Sequence, residues 1–352
     1  MRRAALVGLV VAIAAGASAG CGDAGDDDDA RDNDPFYGVI SGEPLPGAEQ
    51  LARLGRGGVG SLRVNLAWGY VQAGPDAAYD WSHYDAVIAN AARSGIRVLA
   101  TVYSSPAWAE PSPETPPLGH SLHPFEAFVT AAVKRYGAGG TFWSQHPDLL
   151  ALPITDWQLW NEPNFALFWK PAPDARQYLT LLRAFHAAVK RADASGRVLL
   201  GGLFPTPTDG VSLEDFLTEL YRAGGRRDFD SMAIHPYAGT PEAMLDRVSE
   251  ARDVMDRFGD EEKPIWITEV GWASAGAPSG LTVGPSRQAV YLRRTFELAA
   301  DGRDRLGIAG VIWYSASDTP GPLWPAHCGL FTMDGTPKPA WDAFAAIAGG
   351  SA

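Results

Sequence analysis

Asp156-Trp157-Gln158-Leu159-Trp160-Asn161-Glu162-Pro163-Asn164 begins as an apolar strand and stops at a proline, which cannot continue a sheet. Its last strand positions are an amide, Asn161, and a carboxyl, Glu162. Pro264-Ile265-Trp266-Ile267-Thr268-Glu269-Val270-Gly271-Trp272 repeats the pattern and ends on a second carboxyl, Glu269. Two glutamates at the C-terminal ends of two buried strands have the chemistry needed to cleave a glycosidic bond. One protonates the departing oxygen, and the other attacks the anomeric carbon or activates water against it. An alkoxide is a poor leaving group, so the acid needs a pKa raised into the working range, as burial between Trp160 and Pro163 would provide. Glu269 must stay ionised, which a guanidinium such as Arg63 and a hydroxyl such as Tyr237 would favour.

Both carboxyls require strands that converge. From Phe36 onward, short apolar runs alternate with amphipathic ones. The strand candidates are Phe36–Ile40, Ser61–Trp68, Arg97–Tyr103, Trp157–Glu162, Val198–Phe204, Ser231–Tyr237, Ile265–Glu269 and Gly310–Tyr314. Most are continuous in Val, Ile and Leu, as parallel strands covered on both faces should be. Helical periodicity falls on Trp81–Ser94, Pro124–Tyr136, Asp174–Ala194, Ser212–Arg222, Pro241–Phe258, Ser286–Ala300 and Lys338–Ile347, several behind an N-capping residue. This alternation predicts an α/β chain folded as a single (β/α)8 TIM barrel, whose chemistry sits at the C-terminal strand ends. Those ends offer Arg63, Asn65, Tyr103, Ser104, Asn161, Glu162, His235, Tyr237, Glu269 and Trp313. The connections 104–121, 163–173 and 315–331 are rich in Pro, Trp and Phe and read as groove walls. Trp68, Trp108, Trp169, Trp272 and Trp324 are open between lining that groove and packing the core.

The residues at these strand ends resemble clan A of the glycoside hydrolases, the retaining (β/α)8 enzymes, and within it families 39 and 5. The likeness spans about Phe36 to Ile347 and is most specific at Asn161-Glu162-Pro163 and Glu269. It implies that Glu162 is the general acid/base and Glu269 the nucleophile. It also implies that Arg63, Asn161, His235, Tyr237 and Trp313 form the first sugar subsite. Tyr103 and Trp272 are further substrate-binding candidates from their places at the strand ends, not from the resemblance. A histidine that family 5 usually carries near the end of the third strand is replaced here by Tyr103-Ser104. The expected reaction is hydrolysis of β-linked sugars by double displacement. The alternatives are a carbohydrate-binding barrel without turnover and a transglycosylase using the same site.

Composition sets the boundaries of this reading. The chain has 352 residues, is 46% hydrophobic, and can bury a large core. A net charge of -12 with no basic stripe excludes nucleic acid as a partner. Residues 1–20 read as an export signal, with Arg2 and Arg3 before an apolar run too short to span a bilayer. Cys21 follows small residues, as in a bacterial lipoprotein signal, so lipidation there would be the membrane attachment. Residues 21–34, with Asp26 to Asp29 in a row, read as an acidic tether, and 35–350 as the catalytic domain. No cofactor is expected. Gly55-Arg56-Gly57-Gly58-Val59-Gly60 matches a dinucleotide fingerprint but follows a helix and precedes a strand, the reverse of what that site needs. His120 and His123 lack an acidic partner for a metal, and no Gly-x-Ser-x-Gly elbow occurs.

Overall fold

The computed structural model describes residues 33–42 and 45–351, so the export signal, Cys21 and most of the acidic tether lie outside the described residues. Eight parallel strands form the centre: β1 (Tyr37–Ile40), β2 (Ser61–Leu66), β3 (Arg97–Val102), β4 (Asp156–Leu159), β5 (Arg197–Leu199), β6 (Met232–Ile234), β7 (Ile265–Val270) and β8 (Ile308–Trp313). Their order is β5-β4-β3-β2-β1-β8-β7-β6. The two edges, β5 and β6, meet through bridges at Leu199–Ser231 and Leu203–Ile234 rather than through a full ladder. The amides of Leu200 and Leu203 donate to the carbonyls of Ser231 and Ala233 there, at 3.1 and 3.0 Å. The result is the expected TIM barrel.

A helix follows each strand: α1 (Ala48–Arg56), α2 (Ser82–Arg93), α3 (Leu122–Tyr136), α4 (Ala175–Ala192), α5 (Leu213–Arg222), α6 (Pro241–Arg257), α7 (Pro285–Asp301) and α8 (Pro339–Ala348). Their starts are chemically marked. Asp174 accepts from the amides of Arg176 and Gln177, Ser212 from Asp215, and Thr240 from Ala243 ahead of Pro241. The apolar stripe of α4, including Tyr178, Leu182, Phe185 and Val189, is fully buried. Gly57 caps α1, so the glycine-rich stretch is a helix end and turn. No described helix is long and apolar enough to cross a membrane.

Two packed layers result. One lies between strands and helices, and the other plugs the barrel with Leu99, Leu199, Ala233, Trp266 and Ile312. A Cβ on Gly310 would come within 2.3 Å of the Trp266 ring, so that ring fits the lumen only because β8 carries glycine there. Above the plug the lumen turns polar, with Arg63, Thr101, Gln158 and Thr268 all buried. Burial of these groups is sustained by mutual hydrogen bonds, with Gln158 accepting from Arg63 Nε at 2.7 Å and from Thr101 Oγ1 at 2.9 Å.

Several boundaries differ from the sequence expectation. The second strand stops at Leu66, and Trp68 starts a short helical turn, Trp68–Val71, with its ring buried. The fourth strand ends at Leu159 rather than Glu162, because Trp160 takes a φ of 68°, outside the β region.

Candidate active site

The backbone at the end of β4 places Asn161 and Glu162 together. In a regular strand, consecutive side chains point to opposite faces. Here Trp160 and Glu162 are left-handed, with φ of 68° and 40°, and both Asn161 and Glu162 line one cavity. Left-handed backbone is costly for non-glycine residues and persists where surrounding contacts enforce it. Those contacts are present. Trp160 Nε1 donates to the Phe168 carbonyl at 2.6 Å, and Asn161 bridges to Gly202. Asn164, fully buried, donates to the carbonyls of Phe204 and Val211 at 2.7 and 2.8 Å and accepts from the Phe204 amide. On β7 the pairing register shifts between Ile267 and Val270, so Thr268 and Glu269 both face the lumen. Thr268 meets His235 and Gln158, and Glu269 lines the cavity.

Glu269 accepts from Arg63 Nη1 at 2.5 Å and from the Tyr237 hydroxyl at 2.9 Å. Glu162 Oε1 lies 2.7 Å from Nδ1 of His235, whose Nε2 lies 3.1 Å from the Thr268 hydroxyl. Carboxylate oxygens of the two glutamates and a ring nitrogen of His235 are all within 4.8 Å of one another. Arg63 Nη2 donates to Asn161 Oδ1 at 3.0 Å, so one guanidinium holds both Asn161 and Glu269. Burial raises the Glu162 pKa, Glu269 adds to that, and His235 and Arg63 only partly offset it. Burial also acts on Glu269, yet His235, Arg63 and the Tyr237 hydroxyl together hold its pKa below the usual glutamate value. One carboxyl therefore favours its protonated form and the other its ionised form. Spacing alone would let Glu162, His235 and Glu269 ligate a cation. The Arg63 guanidinium, in contact with Glu269, already provides positive charge there and would repel a second cation.

A cavity of about 500 Å³ opens above this pair. A family profile described as the glycosyl hydrolase catalytic core matches residues 159–296, the stretch that runs from the end of β4 through β7. Over that stretch the chain is similar to glycosyl hydrolase catalytic cores. It is similar to a β-xylosidase of Geobacillus stearothermophilus, 24% identical over 206 residues, which cover 53% of this chain and 40% of that protein. Among solved structures, a family 39 glycoside hydrolase from Bacteroides cellulosilyticus superposes with a TM-score of 0.71 at 23% identity, covering 90% of this chain and 64% of that one. A monomeric β-xylosidase from Caulobacter crescentus gives 0.65 at 19% identity, covering 89% and 68%. A subfamily 18 enzyme of family 5 from Bifidobacterium longum gives 0.64 at 18% identity, covering 89% and 77%. The chain thus spans less than two thirds of the length of the first two proteins named. The fold is that of these (β/α)8 glycosidase barrels, in agreement with the resemblance read at the strand ends.

Around the core's cavity, Arg63, Tyr103, Asn161, Glu162, Tyr237 and Glu269 all contribute surface, as expected from the sequence. Three expected subsite residues do not. His235 is fully buried behind Glu162, held there by close contact with Gly202, where a Cβ would come within 2.0 Å of the ring. Its position makes it a partner of the carboxyl and keeps it from the cavity surface. Trp313 is fully buried among the helices, donates to the Cys328 carbonyl at 2.9 Å and packs on Trp272. Trp272 is likewise buried, donating to the Ala238 carbonyl at 2.9 Å. From the end of β8 the cavity is lined instead by Tyr314, with Ser315 after it. Strand parity could have identified it, since Gly310, Ile312 and Tyr314 share the lumen face. Of the tryptophans left open, Trp324 lines the cavity, whereas Trp68 and Trp169 are core and Trp108 is half-buried against the Gln72 carbonyl.

Proposed function

We propose that the protein is a retaining glycoside hydrolase of β-linked sugars, with Glu162 as acid/base and Glu269 as nucleophile. The observation that carries this reading is the approach of the two carboxyls to within 4.8 Å while their pKa values move in opposite directions. Retention needs carboxyls about 5–5.5 Å apart, whereas inversion needs about 6.5–9.5 Å to admit a water between them. Protonated Glu162 gives its proton to the glycosidic oxygen as ionised Glu269 bonds to the anomeric carbon, and the leaving alcohol departs. Glu162, now a carboxylate, then takes a proton from water. That water attacks the anomeric carbon and releases Glu269. Arg63 and Tyr237 keep Glu269 ionised and aimed. Asn161 uses its oxygen on Arg63, which leaves its amide nitrogen to donate to the sugar 2-OH. Tyr314 and Trp324 offer ring faces to the sugar.

The xylosidase relatives make an aryl β-xyloside the first substrate to test, beside the matching glucoside, galactoside, mannoside and arabinoside. Release of the aryl alcohol from at least one, with the β-anomer of the sugar formed first by NMR, is the expected result. Full activity in a Glu269→Ala variant would sink the assignment. The enzyme is further proposed to be exported, with residues 35–350 as its catalytic domain and Cys21 as a lipid anchor. Fatty-acid labelling lost in Cys21→Ser is the corresponding measurement.

A further inference from the structure

The mouth of the cavity carries more hydrocarbon than the chemistry at its floor requires. Six half-buried rings that line it follow one another in contact. Tyr103 lies 6.3 Å from Phe168 between centroids, Phe168 lies 6.0 Å from Phe165, and Phe165 lies 5.8 Å from Phe204. Phe204 then lies 6.1 Å from Tyr237, and Tyr237 lies 5.1 Å from Trp324. Leu167 adds an aliphatic side chain that lines the cavity while 56% exposed. With the rings beside it, Leu167 extends a contiguous apolar lining to the rim of the cavity.

The acid determines which half of a substrate meets this wall. Glu162 must reach the glycosidic oxygen, so the leaving group lies against the chain that carries Glu162 and continues from it. Beyond Glu162, the β4 and β5 connections present only Phe165, Leu167, Phe168 and Phe204 to the cavity among the described residues. None of these side chains can hydrogen-bond. The loop's amides are mostly committed as well: Phe165 donates to Glu162, Ala166 to Asp209, and Phe168 and Trp169 to Phe165. A sugar in this place would bury hydroxyls without partners, each weakening transition-state binding roughly tenfold. An apolar group would instead gain about fourfold per buried methylene.

We propose that the leaving-group side of this site is built for an apolar aglycone, an alkyl or aryl alcohol, rather than for a second sugar. The inference deepens the hydrolase reading and rests on it. The test uses methyl, butyl, hexyl and octyl β-glycosides of the sugar selected by the aryl panel, together with the β-linked disaccharide of that sugar. These alcohols differ little in basicity, so their rates report the wall rather than the leaving group's chemistry. We expect kcat/KM to rise at least tenfold from methyl to hexyl, mainly through KM, with the hexyl glycoside at least tenfold better than the disaccharide. Leu167→Ser and Phe168→Ser should each lower the hexyl-to-methyl ratio. A flat alkyl series, or a preference for the disaccharide, overturns the inference while leaving the hydrolase reading intact. Failure to cleave any glycoside, the aryl panel included, overturns both.

Discussion

Burial acts on both glutamates in the same direction, disfavouring the carboxylate, so their partners are what separate them. Glu269 has a guanidinium and a phenol in contact, and Glu162 has an imidazole. The proposed mechanism requires Glu162 protonated and Glu269 ionised. The kcat/KM profile should therefore be a bell, lost at high pH as the pair releases the Glu162 proton and at low pH as Glu269 gains one. Glu162→Gln should lower kcat/KM by about 10²–10⁴-fold on a substrate that needs the acid and abolish the basic limb. His235→Ala removes a partner that lowers both pKa values, so both limbs should move to higher pH. A histidine that only braces the barrel would lower the bell without moving its limbs. Glu162 also affects stability. Its folded-state pKa lies above the ordinary glutamate value, so its stabilising contribution is present below that value and lost as pH rises through the raised one. Glu162→Gln should consequently melt higher than the native protein on the alkaline side, with the difference vanishing in acid, by calorimetry across pH.

At the scale of single elements, β8 shows what one residue of parity decides. Ile312 sits in the lumen plug, Trp313 faces the helices and Tyr314 returns to the cavity. Trp313→Ala should destabilise by about 3–5 kcal/mol in denaturant melts, as loss of a buried indole does. Tyr314→Ala should instead depress kcat/KM with the melt little changed, and the reverse pattern would reassign the two residues. The strands themselves were legible because buried parallel strands are continuous apolar runs, and Glu162 and Glu269 because a carboxyl stands at or just past the end of two such runs. The same continuity concealed parity: a run apolar on both faces does not say which side chain looks inward, and so Trp313 is the expected residue and Tyr314 the observed one. The left-handed turn at Trp160 depends on Phe168, eight residues along an irregular connection, and the depth of His235 on Gly202, remote in sequence. Phe165, Phe168 and Phe204 come from connections, where no period assigns a side chain to a face.

Across the whole molecule, the last helix returns to secure the walls of the site. Lys338, just before α8, is buried and donates to Asp318 at 2.6 Å, to Ser274 Oγ at 2.9 Å and to the His327 carbonyl at 3.2 Å. Asp318 in turn accepts from the Gly329 amide at 2.9 Å. One ammonium thus ties the β7 connection to both ends of the β8 connection, which carries Trp324 and Pro325 to the cavity. Burial lowers the Lys338 pKa and the Asp318 carboxylate opposes that, so the pair is held together by mutual need. Removing one member leaves the other charge buried and alone, a loss of about 3–5 kcal/mol, whereas replacing both with apolar residues can be nearly neutral. Lys338→Met should therefore lower Tm and raise KM more than it lowers kcat, since the wall loosens while the glutamates stay in place. The double variant Lys338→Met with Asp318→Leu should recover much of the Tm lost by either single change. KM should stay raised in the double variant, because no apolar pair can hold Ser274 and the His327 carbonyl to the same point. Recovery of KM together with Tm would mean that the β8 wall is positioned by packing around Trp313 and not by this ion pair.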